Sequence, residues 1–192
     1  MGLGTRENII NSFFRLALQE PNKQHFTLSE IAREANVSRQ AIYKKHYKNT
    51  EEILEDIRNK MNLEIFKRLD SAVMKEEESP FTFFAKEILP IVYKYRIWFR
   101  VLTTTSMDSY YGRIVETRLS TYFLPFLDEN DSGKKMHVSE DFKVRIISKN
   151  IISIVTAWLN QDFPEPPEAF SKTFLELLTA SSNDLLKDEH RL

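Results

Sequence analysis

Apolar residues recur along most of this chain at intervals of three and four, the period of helices that bury one face. Ile9, Ile10, Phe13, Phe14 and Ala17 set out a first amphipathic helix, which Pro21-Asn-Lys-Gln24 breaks. Leu28, Ile31, Ala32 and Ala35 share one face of a second, and Thr27 with Glu30 forms a capping box that places its start. Asn36 falls where the chain must turn, and Asn tolerates a left-handed backbone better than most residues. Val37 reads as an apolar plug and Ser38 as the N-cap of a third helix. That helix is expected to bury Ala41 and Ile42 and to turn Arg39, Gln40, Tyr43, Lys44 and Lys45 outward. A long helix follows from Asn49 or Thr50, with Glu51 and Glu52 in its first turn as the helix dipole prefers. Its stripe of Ile53, Ile57, Met61, Ile65 and Leu69 runs to about Val73.

Beyond the charged run Lys75-Glu-Glu-Glu-Ser-Pro80, Ser79 and Pro80 start another helix, and Pro90 should kink or divide it. Helices are expected again over Tyr95–Leu102 and Tyr110–Phe126, with a polar loop over Asp128–His137. Ser139 caps a helix carrying Phe142, Ile147, Ile151, Ile154, Val155 and Trp158. After Pro164-Glu-Pro-Pro167 a last stripe holds Phe170, Phe174, Leu177, Leu178 and Leu185. No segment alternates with the period of a strand, so the fold class is all-α. The long helix divides it into a three-helix domain over 1–49 and a helical domain over 50–192.

Composition adds little against a soluble, cytoplasmic protein. The chain has 192 residues, 42% of them hydrophobic, with 27 basic against 28 acidic side chains. No apolar run approaches a membrane span, so no membrane partner is expected, and the N-terminus has no signal-peptide core. Gly2 invites a myristoylation reading, but Arg6 stands where Ser or Thr is required. The absence of cysteine excludes disulfides and thiolate metal sites. Four glycines leave no phosphate-cradling loop. Asp128-Glu-Asn130-Asp-Ser132-Gly133 opens like a calcium loop but has Ser139 at the position of the closing acid. Ser132 and Lys135 match a hydrolase motif by letters alone, and His25, His46, His137 and His190 lack ligand spacing. No catalytic residue, metal or cofactor is expected.

The chemistry that does stand out is local. Residues 1–60 carry 10 basic and 8 acidic side chains, a small excess. Yet from Ser38 to Lys48 there are Arg39, Lys44, Lys45 and Lys48 with no acid. A short helix, a sharp turn and a second helix with a basic outer face form the helix-turn-helix pattern, whose second helix enters the major groove of DNA. Arg and Gln suit guanine and adenine edges, and Lys suits phosphate. The DNA-facing set is therefore Thr27, Ser38, Arg39, Gln40, Tyr43, Lys44, Lys45, His46, Tyr47 and Lys48.

Thr27-x-x-Glu-Ile-Ala-x-x-Ala-x-Val-Ser-x-x-x-Ile-Tyr43, followed by Lys48-Asn-Thr-Glu-Glu-Ile-Leu54, resembles the TetR family of bacterial transcriptional regulators. The likeness is dense from about Ile9 to Ile57. Asn36 stands for the usual Gly, Thr50 for a frequent Lys, and the Lys44–Tyr47 segment is one residue longer than the commonest form. The resemblance implies a homodimer, most often a repressor, that binds a double-stranded operator and responds to a small-molecule effector. Aromatic residues crowd the chain's centre, either as a core of bulky side chains or as an apolar effector pocket; the resemblance favours the pocket, including Phe84, Ile88, Trp98, Phe99, Leu102, Tyr111 and Phe123. The last two stripes could complete a monomeric core or pair with their copies across a two-fold axis; the resemblance favours the second, through Ile147, Ile151, Ile154, Val155, Trp158, Phe170, Phe174, Leu177 and Leu178. The alternative reading is a family member that binds proteins as a co-regulator and does not read DNA alone.

Overall fold

The computed structural model of the protein describes residues 4–72, 79–108, 110–127 and 138–187. The calcium-like loop, Ser132 and Lys135, His137, His190, Gly2, Val73 and most of the charged run before Pro80 lie outside the described residues. Among those described there are helices and turns and no strand: α1 (Thr5–Gln19), α2 (Leu28–Glu34), α3 (Arg39–Lys45), α4 (Thr50–Ala72), α5 (Pro80–Phe83), α6 (Leu89–Lys94), α7 (Arg96–Thr104), α8 (Tyr111–Phe123), α9 (Glu140–Leu159), α10 (Pro167–Thr179) and α11 (Ser182–Lys187). The fold is all-α. No described helix is long and apolar enough to cross a membrane.

Contacts divide the chain into two units, one of residues 1–64 and 95–114, the other of 65–94 and 115–192. The division does not fall at 49/50, because the first half of α4 and all of α7 pack with the N-terminal helices. In the first unit Ile9, Ile10, Phe13 and Ala17 of α1 are buried with Phe26, Ile31, Ile42, Ile53, Ile57 and Met61. Phe13 meets Phe26 edge to face at 5.6 Å, and Phe14 packs on Trp98 of α7 at 5.8 Å. A buried ion pair joins Arg58 of α4 to Asp108, and the Asp108 carboxylate also accepts the backbone N–H groups of Tyr110 and Tyr111. A carboxylate with three donors is the form in which a buried charge is tolerated.

The second unit shows what Pro90 does. Between α5 and α6 the backbone runs as a π-helix over Phe84–Ile88, where Leu89 N–H reaches back to the Phe84 carbonyl. Pro90 has no N–H to continue the ladder, and the Ser171 hydroxyl of α10 lies 3.1 Å from the Ala85 carbonyl, within hydrogen-bond reach. α9 and α10 pack on this core through stacked rings. Trp158 lies 4.3 Å from Phe170, Tyr93 5.5 Å from Trp158, and Phe84 5.6 Å from Phe174.

Those stacks correct the expected dimer seam. Ile151, Val155, Trp158, Phe170 and Phe174 are buried inside the single chain, Phe174 completely, so they cannot also face a second copy. Ile147, Ile154, Leu177 and Leu178 are half-buried. Leu185 lies beyond the end of α10 and is exposed, so it does not continue the stripe.

Candidate nucleic-acid interface

The interface is built by two short helices and the turn between them. At the start of α2 the Thr27 hydroxyl accepts Glu30 N–H at 3.2 Å, and the Glu30 carboxylate accepts Thr27 N–H at 2.7 Å. Lys23 closes on the same carboxylate at 2.7 Å. Lys23 and the Thr27 donors together hold the Glu30 pKa down at about 2. At the far end Asn36 takes φ 53°, the one described non-glycine residue with positive φ. Val37 N–H bonds the Ala32 carbonyl and Asn36 N–H the Arg33 carbonyl. This pair of bonds is a Schellman ending, which satisfies two carbonyls that the helix leaves open. Asn8 fills a third by donating to the Ala35 carbonyl at 2.8 Å.

The turn delivers Ser38, whose hydroxyl accepts Ala41 N–H at 3.0 Å and caps α3. Only Ile42 of α3 is fully buried. Arg39, Gln40, Tyr43, Lys44 and Lys45 are exposed, with Ala41 half-buried. Arg39, Gln40, Lys44 and Lys45 make no side-chain hydrogen bond or ion pair with any described residue, and α3 has no acid in its first turn. Several other cations of the same unit pair with carboxylates, although Arg33 and Arg100 have no such pair among the described residues. Arg6 pairs with Asp56, Arg15 with Glu34, Lys23 with Glu20 and Glu30, and Arg58 with Asp108. The outer face of α3 thus carries positive charge that no described carboxylate pairs, on helices capped by Thr27 and Ser38.

The other expected contacts divide. Thr27 and Ser38 are exposed at the positive ends of α2 and α3, and His46 is half-buried at the C-cap of α3. Lys48 is exposed, but its ammonium donates to the Tyr43 carbonyl at 3.0 Å and lies 4.8 Å from that ring. It fastens the end of α3. Thr50, where the resemblance leads one to look for Lys, donates instead to the Phe26 carbonyl at 2.8 Å.

Tyr47 requires correction: its side chain is 2% exposed, so the ring faces the core and not DNA. Helix α3 ends in a wide turn in which both His46 N–H and Tyr47 N–H reach the Ile42 carbonyl, and this directs Tyr47 inward. Its hydroxyl donates to Asp56 at 2.7 Å and accepts from Arg6 at 3.0 Å. Burial, helped by the Asp56 carboxylate and opposed by Arg6, pushes the phenol up to about 12. Sequence reasoning missed Arg6 and Asp56 altogether, because nothing in the spacing joins residues fifty apart.

The expected effector residues are not brought together within one unit. Trp98, Phe99, Leu102 and Tyr111 belong to the first, and Phe84, Ile88 and Phe123 to the second. Several meet other rings, Trp98 tilted against Phe14, Phe84 stacked on Phe174, and Phe123 stacked on Phe81 at 5.3 Å. A cleft of about 660 Å³ opens elsewhere in the first unit. Phe13, Phe26, Leu54 and Met107 form its apolar wall, with Gln24, His25, Glu51, Arg58, Asp108 and Tyr110 among its polar lining. None of the seven residues lines it.

Two capped helices held at a Schellman turn, with a basic outer face on the second, define a helix-turn-helix protein. A family described as the transcriptional regulator C-terminal region of the TetR type matches residues 79–180, more than half of the chain. The chain belongs to the TetR family of transcriptional regulators, which are not enzymes. A second family, putative helix-turn-helix proteins of the YlxM/p13 kind, matches residues 15–79. Among solved structures, native NalD, the secondary repressor of the MexAB-OprM multidrug efflux pump in Pseudomonas aeruginosa, is 18% identical with a TM-score of 0.60, over 91% of this chain and 94% of that one. The dihydroxyacetone kinase operon activator DhaS is 16% identical with a TM-score of 0.49, over 91% and 93%. No curated protein matches the chain.

Proposed function

We propose that this regulator binds operator DNA by inserting α3 into the major groove, with Arg39 and Gln40 at base edges and Lys44 and Lys45 at phosphates. The observation that supports the reading is the charge of α3: Arg39, Lys44 and Lys45 are exposed with no partnering carboxylate among the described residues. Cations left unpaired on a capped helix gain most from a polyanion, through release of its counterions. The functional form is a homodimer, because a seven-residue recognition helix reaches few base pairs and useful specificity needs two half-sites. The exposed side of α9 suits a second copy better than its buried stripe, since Phe142 and Ile146, one turn apart, are each about half exposed. Repression is the role proposed, with action in the cytoplasm. Release is by a small apolar or aromatic effector, for which the cleft beside Phe13 and Phe26 has room.

Selection from a random-sequence duplex library tests this reading. The expected product is a two-fold symmetric site whose half-site centres lie about 34–36 Å apart or a multiple of that spacing. A library that emerges unenriched, with binding that only follows salt, contradicts it and favours the protein-binding co-regulator.

A further inference from the structure

Arg6 of α1, Tyr47 just past α3 and Asp56 of α4 meet at one point. The Tyr47 hydroxyl donates to Asp56 Oδ2 at 2.7 Å, while Arg6 Nε donates to Tyr47 Oη at 3.0 Å and to Asp56 Oδ2 at 3.1 Å. Arg6 Nη2 reaches Asp56 Oδ1 at 2.9 Å, and Lys60 approaches Oδ2 at 3.4 Å. Three helices of the first unit are thereby tied through one phenol.

α3 has a particular need of such a tie. With Ile42 as its one fully buried residue, a seven-residue helix has a single apolar pivot. Apolar burial is non-directional, so a pivot alone does not fix the rotation of the helix about its axis. Hydrogen bonds prefer a direction. The wide turn at Ile42 places Tyr47 directly after the helix, so the orientation of the phenol and that of α3 are linked through a few backbone bonds. Lys48, bonded to the Tyr43 carbonyl, holds the same end from outside. A phenylalanine would fill the buried space equally well. The hydroxyl adds direction.

We propose that the Tyr47 hydroxyl, held between Arg6 and Asp56, is a positioning group that sets the orientation of α3 and through it the discrimination between DNA sequences. The role rests on the DNA-reading function proposed above. Tyr47 itself touches no base.

The test compares wild type, Tyr47→Phe and Arg6→Ala on the duplex enriched by library selection and on a scrambled duplex at the same salt. Tyr47→Phe keeps the buried ring, and Arg6→Ala acts at the exposed end of the network, where the Arg6 side chain is 55% accessible. Each is expected to lower affinity for the enriched duplex roughly tenfold, the scale of one hydrogen bond in a charged network, while leaving the scrambled duplex unchanged. Amide hydrogen exchange over residues 43–48 should rise in the free variants. The double variant should lose little beyond either single one, since both cut the same network. If both single variants keep the wild-type ratio between duplexes, or lose both affinities in parallel with a falling melting temperature, the hydroxyl merely satisfies the core and the proposal is overturned. A wild type that prefers no duplex overturns the DNA-reading function itself, and this role with it.

Discussion

α3 and the α9–α10 pair were read from the same kind of evidence, a helical periodicity, and the structure treats them differently. On α3 the polar residues point outward as the period requires. On α9 and α10 the apolar residues expected at a seam are inside, where Trp158 stacks on Phe170 and Phe174 on Phe84. An exposed basic face has one destination, which is solvent until a partner arrives. An apolar stripe says only that something covers it, and here the helices of the same chain do so. Here the large rings on facing helices of the same chain meet one another, in the stacked geometry aromatic pairs favour.

The largest effect that sharpens this comparison is in the buried stripe. Phe174→Ala, at a fully buried position stacked on Phe84, should cost about 3–5 kcal/mol through the cavity left behind, measured by urea unfolding. Unchanged stability with a halved mass would return Phe174 to the seam. A smaller effect belongs to the turn before α3. At φ 53° alanine tolerates the left-handed backbone less well than asparagine, so Asn36→Ala should cost about 1 kcal/mol, whereas Asn36→Gly, which has no β-carbon, should cost little or nothing. Equal losses for both would show that the Asn side chain, not the backbone angle, is what the turn requires.

Much of the fold was legible because local signals agreed. The Thr27 box, Asn36, the Ser38 cap, Pro80 at a helix start and the Ser139 cap all sit where the residues led one to expect them. The outward face of α3 was legible for the same reason. What was not legible depends on distance in sequence. Tyr47 next to three basic residues reads as surface, but the wide turn at Ile42 directs it inward, where Asp56 and the distant Arg6 bond its hydroxyl. Likewise Trp98 looked like a pocket wall until Phe14 supplied its partner.

The proposed seam gives a third prediction with little effect on the monomer. Ile146→Glu, on the exposed side of α9, should leave melting of the isolated chain within about 0.5 kcal/mol and lower the mass by light scattering. A variant that unfolds would move Ile146 to the core side of the comparison. The smallest effect is one of pH. The Glu30 carboxylate titrates near 2 in the folded chain against an ordinary 4.5, so its contribution is complete above about 4.5 and fades as pH falls toward 2. Glu30→Gln should remove that part of the acid dependence of unfolding. An acid limb identical to that of the wild type would show that the capping box contributes nothing there.

The measurement closest to the central claim is a base-by-base substitution of the enriched duplex, read with wild type and Arg39→Ala. If α3 reads bases, each mismatch costs the wild type about 1–3 kcal/mol, and Arg39→Ala becomes indifferent at one position in each half-site while keeping its preferences elsewhere. If the two profiles stay parallel at every position, Arg39 reads no base, and the account of α3 as the recognition helix is contradicted.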